Sequence, residues 1–174
     1  MIQRTFFNRD PEIVAKALLG KILVRKIGNK TFRAKIVETE AYYDNKDPAS
    51  RACKGGDLRA TMSMGAGTIL VYGIHTQWLI NFVTGKEGKA EAVLLRALEP
   101  LNFSARCNGP GLLTKALKIN KELHKRDICS CNEIWLEDSG ERCQIASSHR
   151  IGVKKDMAKN LRFFVEGNEC VSRN

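Results

Sequence analysis

The run TFRAKIVETEAY, residues 31–42, constrains this chain more than any other stretch. Its apolar residues alternate, the pattern of a half-buried β-strand. Side chains two apart share a face of a strand. Phe32, Ala34 and Ile36 therefore fall together, and plain extension adds Glu38, Glu40 and Tyr42 to the same face. That face changes from hydrocarbon to two carboxylates and a phenol. Carboxylates are costly to bury unless they are paired, protonated or used, so any fold for this chain must provide for them. Two readings stand open. Each glutamate pairs with a basic residue and closes a sheet end, with Arg96 as a candidate partner. Alternatively, one works as a general acid or base in a sheltered site, beside an aromatic ring that stacks on a flat ligand. Two carboxylates held close together also push one pKa up.

The patterns around this strand are those of a mixed α+β domain. Asp10 is suited to N-cap a helix and Pro11 to open it; Ile13, Val14, Ala17 and Leu18 supply an apolar stripe, and Gly20 ends it. Residues 21–27 alternate as a strand, Gly28-Asn29 signals a turn, and 31–41 return as a hairpin partner. Residues 44–67 read as a basic loop carrying Arg51, Lys54 and Arg59. Strands are expected at 68–72, 79–83, 92–98, 133–136 and 161–166, with 73–78 joining the first two. Asn108-Gly109-Pro110-Gly111 reads as a turn before a helix at 112–119 that buries Leu112, Leu113, Ala116 and Leu117 and leaves Lys115 and Lys118 outside. Hairpins outnumber possible βαβ units, which favours a largely antiparallel sheet.

A chain of 174 residues suggests one domain spanning 1–174. The 29 Lys and Arg against 19 Asp and Glu give a net charge of +10, which points to a polyanion: DNA, RNA or an anionic membrane surface. The N-terminal residues lack the apolar core of a secretory signal, and no apolar run reaches the length of a membrane span. Both features favour an intracellular setting, cytoplasmic or beside the nucleoid. Cys53, Cys107, Cys129, Cys131, Cys143 and Cys170 are scattered, as reduced structural thiols are; Cys129 and Cys131 would be half of a metal site whose other half is missing. Gly65-Ala66-Gly67 is too short for a dinucleotide fingerprint. The 108–111 turn has backbone N–H groups that suit a phosphate, but a plain cap accounts for it as well. On pattern alone, the chain is a basic α+β domain with an acidic site on a strand, and no reaction is selected.

Taken together, AKALLGKILVRK (15–26), IVETEAY (36–42), DPASRACKGG (47–56), GTILVYGIHTQWLIN (67–81), AVLLRALEP (92–100), NGPGLLTKALKINKELHKRD (108–127), RIGVKKD (150–156) and LRFFVEGNECVSR (161–173) resemble the alkyladenine, or methylpurine, DNA glycosylase family, in the family's order. The resemblance implies a single domain with a curved antiparallel sheet and a β-hairpin inserted into duplex DNA. It also implies a monofunctional glycosylase, without metal or other cofactor, that flips alkylated or deaminated purines from double-stranded DNA and hydrolyses their N-glycosidic bond. By the same resemblance, Glu40 is the general base, and Arg96 and the main chain of Ile151 help fix the attacking water. Tyr42 and Tyr72 are the walls of the base pocket, and Asn81 screens out guanine. Glu38 is structural, tied up at the sheet edge. Two departures stand out. Arg51 occupies the position of a pocket histidine, and the hairpin lacks the tyrosine wedge of vertebrate members, leaving Ile74 or His75 as stand-ins. Arg51 either enters the pocket or turns to solvent or a phosphate; the basic loop favours the second. Lys54 and Arg59 are the expected phosphate contacts, and the molecule is expected to be a monomer. The main alternative is a nucleic-acid-binding domain that keeps the fold without the activity. An enzyme acting on a free nucleotide leaves the excess positive charge idle.

Overall fold

In the computed structural model, which describes residues 2–172, one helical turn, α1 (Arg4–Phe7), precedes a capped helix, α2 (Pro11–Leu18). Met1, Arg173 and Asn174 belong to the expected domain but lie outside the described residues. The Asp10 carboxylate accepts from the Glu12 N–H at 2.9 Å, satisfying one of the free donors of the first turn. The buried stripe of α2 is Pro11, Val14, Ala15 and Leu18, and Ile13 is exposed. At 3.6 residues per turn, a face through 11, 14, 15 and 18 leaves position 13 on the opposite side.

The hairpin β1 (Ile22–Ile27) and β2 (Lys30–Tyr42) follows, turned at Gly28 with φ +58°. The expected alternation in β1 is absent: Ile22, Leu23 and Val24 are all buried because β1 lies inside the sheet, between β2 and a later strand. Residues 44–67 are not all loop. A 3-10 turn spans Arg51–Lys54, and α3 spans Gly56–Met62. The Ser50 hydroxyl caps the first by accepting from the Ala52 N–H; Gly55 lies between the two and Gly56 opens α3, both at positive φ. In sequence that glycine pair looks like a breaker; here it is a joint between two short helices.

The strands β3 (Ile69–Ile74) and β4 (Gln77–Val83) are longer than expected and joined by only two residues, His75 and Thr76. Both have positive φ, 47° and 67°, as a type I′ turn requires. The chain then forms β5 (Ala92–Pro100), α4 (Pro110–Ala116), β6 (Ile134–Glu137), β7 (Ile145–Ser148) and β8 (Arg162–Val165). β7 was not legible in sequence: it is a short strand whose residues are exposed or half-buried. The strands form one curved antiparallel sheet in the order β3-β4-β5-β2-β1-β6, with β8 pairing to the far half of β2 and β7 to β8. This is a mixed α+β domain. α2 and α4 pack into the main apolar core against the sheet.

The central strand does not keep its register. Ile36 pairs with Leu98, Glu38 with Ala97 and Thr39 with Leu95, so Val37 and Arg96 are each skipped. These are paired β-bulges, and a bulge changes which face each later residue occupies. Ala34 and Ile36 lie in the main core; beyond the bulge Thr39 and Ala41 take that side, Thr39 donating to the Ala15 carbonyl of α2 at 2.9 Å. Glu38, Glu40 and Tyr42 are thereby turned to the other face, which corrects the expectation that they continue the face of Ile36. In β5, Val93, Leu95 and Leu98 belong to the core while Leu94 and Arg96 face away from it.

Deletion of Val37 should undo this offset and drive Glu38 and Glu40 into hydrocarbon. The expected result is loss of cooperative thermal unfolding by circular dichroism. Val37→Ala keeps the residue count and should cost only about 1–3 kcal/mol.

Candidate active site

The bulged segment delivers two fully buried carboxylates to one spot with unequal partners. Glu38 Oε1 accepts from Arg162 Nε (2.6 Å), Ser172 Oγ (2.8 Å) and Arg96 Nε (3.2 Å), and its Oε2 accepts from the Ser172 N–H (2.8 Å). It sits within the sheet, between β5 and β8, rather than at an edge. Glu40 has fewer partners. Its Oε1 accepts from the Ile151 N–H at 2.8 Å and faces Arg96 Nη1 at 3.3 Å, and its Oε2 accepts from the Tyr42 hydroxyl at 2.8 Å. Burial pushes the Glu40 carboxyl above the ordinary glutamate range, against the opposing pull of Arg96, Ile151 and Tyr42. The neighbouring Glu38 adds to the rise, but burial is its main cause. Burial also pushes the Tyr42 phenol well up, so it stays a neutral donor to Glu40.

The Ile151 N–H is spent on Glu40 itself. Ile151 is set there by Arg150, which sequence reasoning quoted but gave no role. The Arg150 guanidinium bonds both oxygens of Asp47 (2.6 and 2.7 Å), Asp156 Oδ1 (2.9 and 2.5 Å) and the Ala41 carbonyl (3.0 Å). It also lies 4.5 Å from the centre of the Tyr42 ring. Its hydrogen bonds to Asp47 and Asp156 outweigh burial and hold it charged. One side chain thus ties the loop after β2, the loop before β8 and an aromatic wall together. The Asp47 and Arg150–Asp156 pieces of the sequence carried a signal in their charges, but nothing in their spacing showed that they meet.

Above Glu40 opens a cleft of about 900 Å³ lined by Tyr42, Tyr72, Leu94, Arg96 and Ile151 on the sheet side. Arg51, Lys54, Lys154 and Lys155 make its rim basic, and Ile74 and His75 bring the tip of the β3–β4 hairpin to it. Lys154 and Lys155 were not singled out in sequence. A smaller recess of about 10 Å³ lies behind, lined by Tyr42, Arg51, Tyr72, Asn81 and the apolar Met62, Leu70 and Ala92. Asn81 is held by a bond from its amide to the Leu70 carbonyl at 3.3 Å. The Tyr72 phenol, like that of Tyr42, is pushed up by burial. Of the residues assigned from sequence, Arg96, Tyr42, Arg51, Tyr72, Asn81, Ile151, Ile74, His75 and Lys54 line the cleft or the recess, and Glu40 lies buried against Tyr42, Arg96 and Ile151. Arg59 does not line the cleft; its guanidinium bonds the Ala52 carbonyl at 3.1 Å. Arg51 does not follow the favoured expectation of turning outward: its guanidinium lies 5.3 Å from the centre of the Tyr72 ring.

The site is therefore a buried carboxylate pair beside a basic cleft with two tyrosine rings in its wall, in a mixed α+β domain of net charge +10. Comparison with known proteins goes further. The methylpurine-DNA glycosylase (MPG) family model matches residues 5–169, and the chain belongs to that family. A protein of Aeropyrum pernix named "Putative 3-methyladenine DNA glycosylase" is 38% identical over 181 residues, covering 99% of this chain and 93% of the relative. Proteins of the same name from Legionella pneumophila and Clostridium tetani are 39% and 36% identical, each covering 99% of this chain and 98% of the relative.

Arg150→Ala strips a buried cation from two carboxylates, a change that costs about 3–5 kcal/mol. Chemical denaturation should show a loss of that size, larger than for the exposed pair partner Lys16→Ala, whose Glu12 contact is worth about 0.5 kcal/mol.

Proposed function

We propose that this protein is a monofunctional DNA glycosylase that excises alkylated or deaminated purines by hydrolysing the N-glycosidic bond. DNA glycosylase activity in general is supported by the family and by the names its relatives carry. The finer reading is supported above all by one observation: Glu40 is a fully buried carboxylate, raised in pKa by burial, whose partners Ile151, Tyr42 and Arg96 line a basic cleft. A carboxylate with a raised pKa is a better proton acceptor than an ordinary one.

In the proposed reaction the damaged nucleotide leaves the stack and its base enters between Tyr42 and Tyr72, where aromatic faces compensate for lost stacking. The C1′–N9 bond breaks with its electron pair going to the purine, which departs neutral if it was cationic and otherwise as an anion that takes a proton from water. Positive charge develops on the sugar, and Glu40 stabilises it through space. A water attacks C1′ and gives its proton to Glu40. Arg96, shared between Glu38 and Glu40, positions the base rather than transferring a proton. Asn81 reads the edge of the base, and Ile74 or His75 at the hairpin tip fills the gap left in the duplex. Lys54, Lys154 and Lys155 meet phosphates, with Arg59 as a more distant contact. A single domain spanning the chain does this work as a monomer, inside the cell.

Glu40→Gln should lower release of free base from a methylated duplex by at least ~100-fold while duplex binding is kept. Equal release by the variant would remove Glu40 from the role of base; no release by either protein would leave a binding domain without catalysis as the better account. Because Glu40 must be ionised to act, the wild-type rate should rise with pH through an inflection above the ordinary glutamate range, and that limb should be absent from the residual rate of the variant.

Affinity for undamaged duplex should fall steeply as salt rises, with log K linear in log salt. The combined substitution Lys154→Ala, Lys155→Ala should flatten that slope by about two phosphate contacts on every sequence tested. A slope unchanged by the substitution would move the phosphate contacts elsewhere.

A further inference from the structure

We propose that Arg51 is a charge filter at the base slot, making the site select neutral purines over purines that carry a fixed positive charge; this rests on the cleft being a base-binding site. Arg51 lines both the open cleft and the recess behind it. The recess, at about 10 Å³, has room for about one water and not for a purine. A flat base that reaches the Tyr72 ring from the cleft therefore lies against a guanidinium that is already 5.3 Å from the ring centre.

The charge at this place is uncompensated. The other arginines at the site are each bound to carboxylates: Arg96 to Glu38 and Glu40, Arg162 to Glu38, and Arg150 to Asp47 and Asp156. Among the described residues Arg51 forms no ion pair. Its neighbour Tyr72 is held neutral by burial and cannot balance it. Its backbone is also fixed, because Ser50 caps the 3-10 turn and the next residue, Ala52, is fully buried. A cationic base in the slot would meet this charge at close range in a partly dry site, where screening is weak. A neutral base with ring-edge acceptors, such as hypoxanthine with N7 and O6, meets a residue that offers donors only.

The test compares excision of 3-methyladenine, cationic as the nucleoside, with excision of hypoxanthine, by the wild type, Arg51→Gln and Arg51→Lys. The expected result is a 3-methyladenine to hypoxanthine rate ratio that rises ~10-fold in Arg51→Gln and stays near the wild-type value in Arg51→Lys, which keeps the charge. Equal loss on both lesions in Arg51→Gln, with the ratio unmoved, would make Arg51 a phosphate contact and overturn the filter. A parallel measurement uses equilibrium binding of Glu40→Gln, with and without Arg51→Gln, to duplexes holding hypoxanthine or 1-methyladenine, a cation at neutral pH. Should the wild type release no base, the glycosylase reading fails by itself. The binding ratio then still decides the filter: a ratio shifted towards the cation supports it, and an unmoved one overturns it.

Discussion

Two carboxylates share one arginine in the middle of a sheet, and the remainder of the structure is arranged around that fact. Arg96 touches Glu38 at 3.2 Å and Glu40 at 3.3 Å. Taking each ion out of water costs several kcal/mol, repaid only by close, well-directed partners. Glu38 receives such partners in full: a second guanidinium, a hydroxyl and a backbone N–H. Glu40 is left with a backbone N–H, a phenol and a longer contact to the shared cation. The inequality has a use. Glu38 fixes Arg96 in place, and Glu40, incompletely neutralised, retains affinity for a proton.

The same inequality explains why the fold is irregular where it is. A regular β2 would have sent both glutamates into the core beside Ile36. The bulges at Val37 and Arg96 move them to the open face and leave Thr39 and Ala41 to close the core. The register shifts lie in the pairing of the strands that carry the charged groups, while the hairpins on either side pair regularly.

Much of this was legible in the sequence, and for identifiable reasons. Helix α2 was marked by Asp10-Pro11, the hairpins by alternation and turn residues, and the carboxylates by their incongruity at the end of an apolar strand. The bulges were not legible, because an inserted residue in a ladder leaves no trace in hydropathy; a valine at 37 looks like any strand valine. The Arg150–Asp47–Asp156 clamp was missed for a related reason. Its members lie 103 and 6 residues apart, and only the folded chain shows that they meet. The convergence of Tyr42, Tyr72, Asn81, Arg96 and Ile151 came from family resemblance, since no spacing rule connects them. Arg51 shows the limit of that route: a residue that departs from the family pattern had to be located in the fold before its surroundings could be read.

The partners of the two glutamates come from widely separated parts of the chain. Glu38 and Glu40 lie more than a hundred residues upstream of Ile151, Arg162 and Ser172, and Arg150 is as far from Asp47. During synthesis the strand that carries the acidic pair emerges long before the groups that neutralise and orient it. A chain arrested before residue 150 holds the carboxylate without the amide that aims it, and one arrested before 172 leaves Glu38 short of two donors. Assembly of this buried cluster is thereby tied to segments more than a hundred residues downstream of the strand that carries it, so a polypeptide lacking them holds both carboxylates without most of the groups that neutralise and orient them.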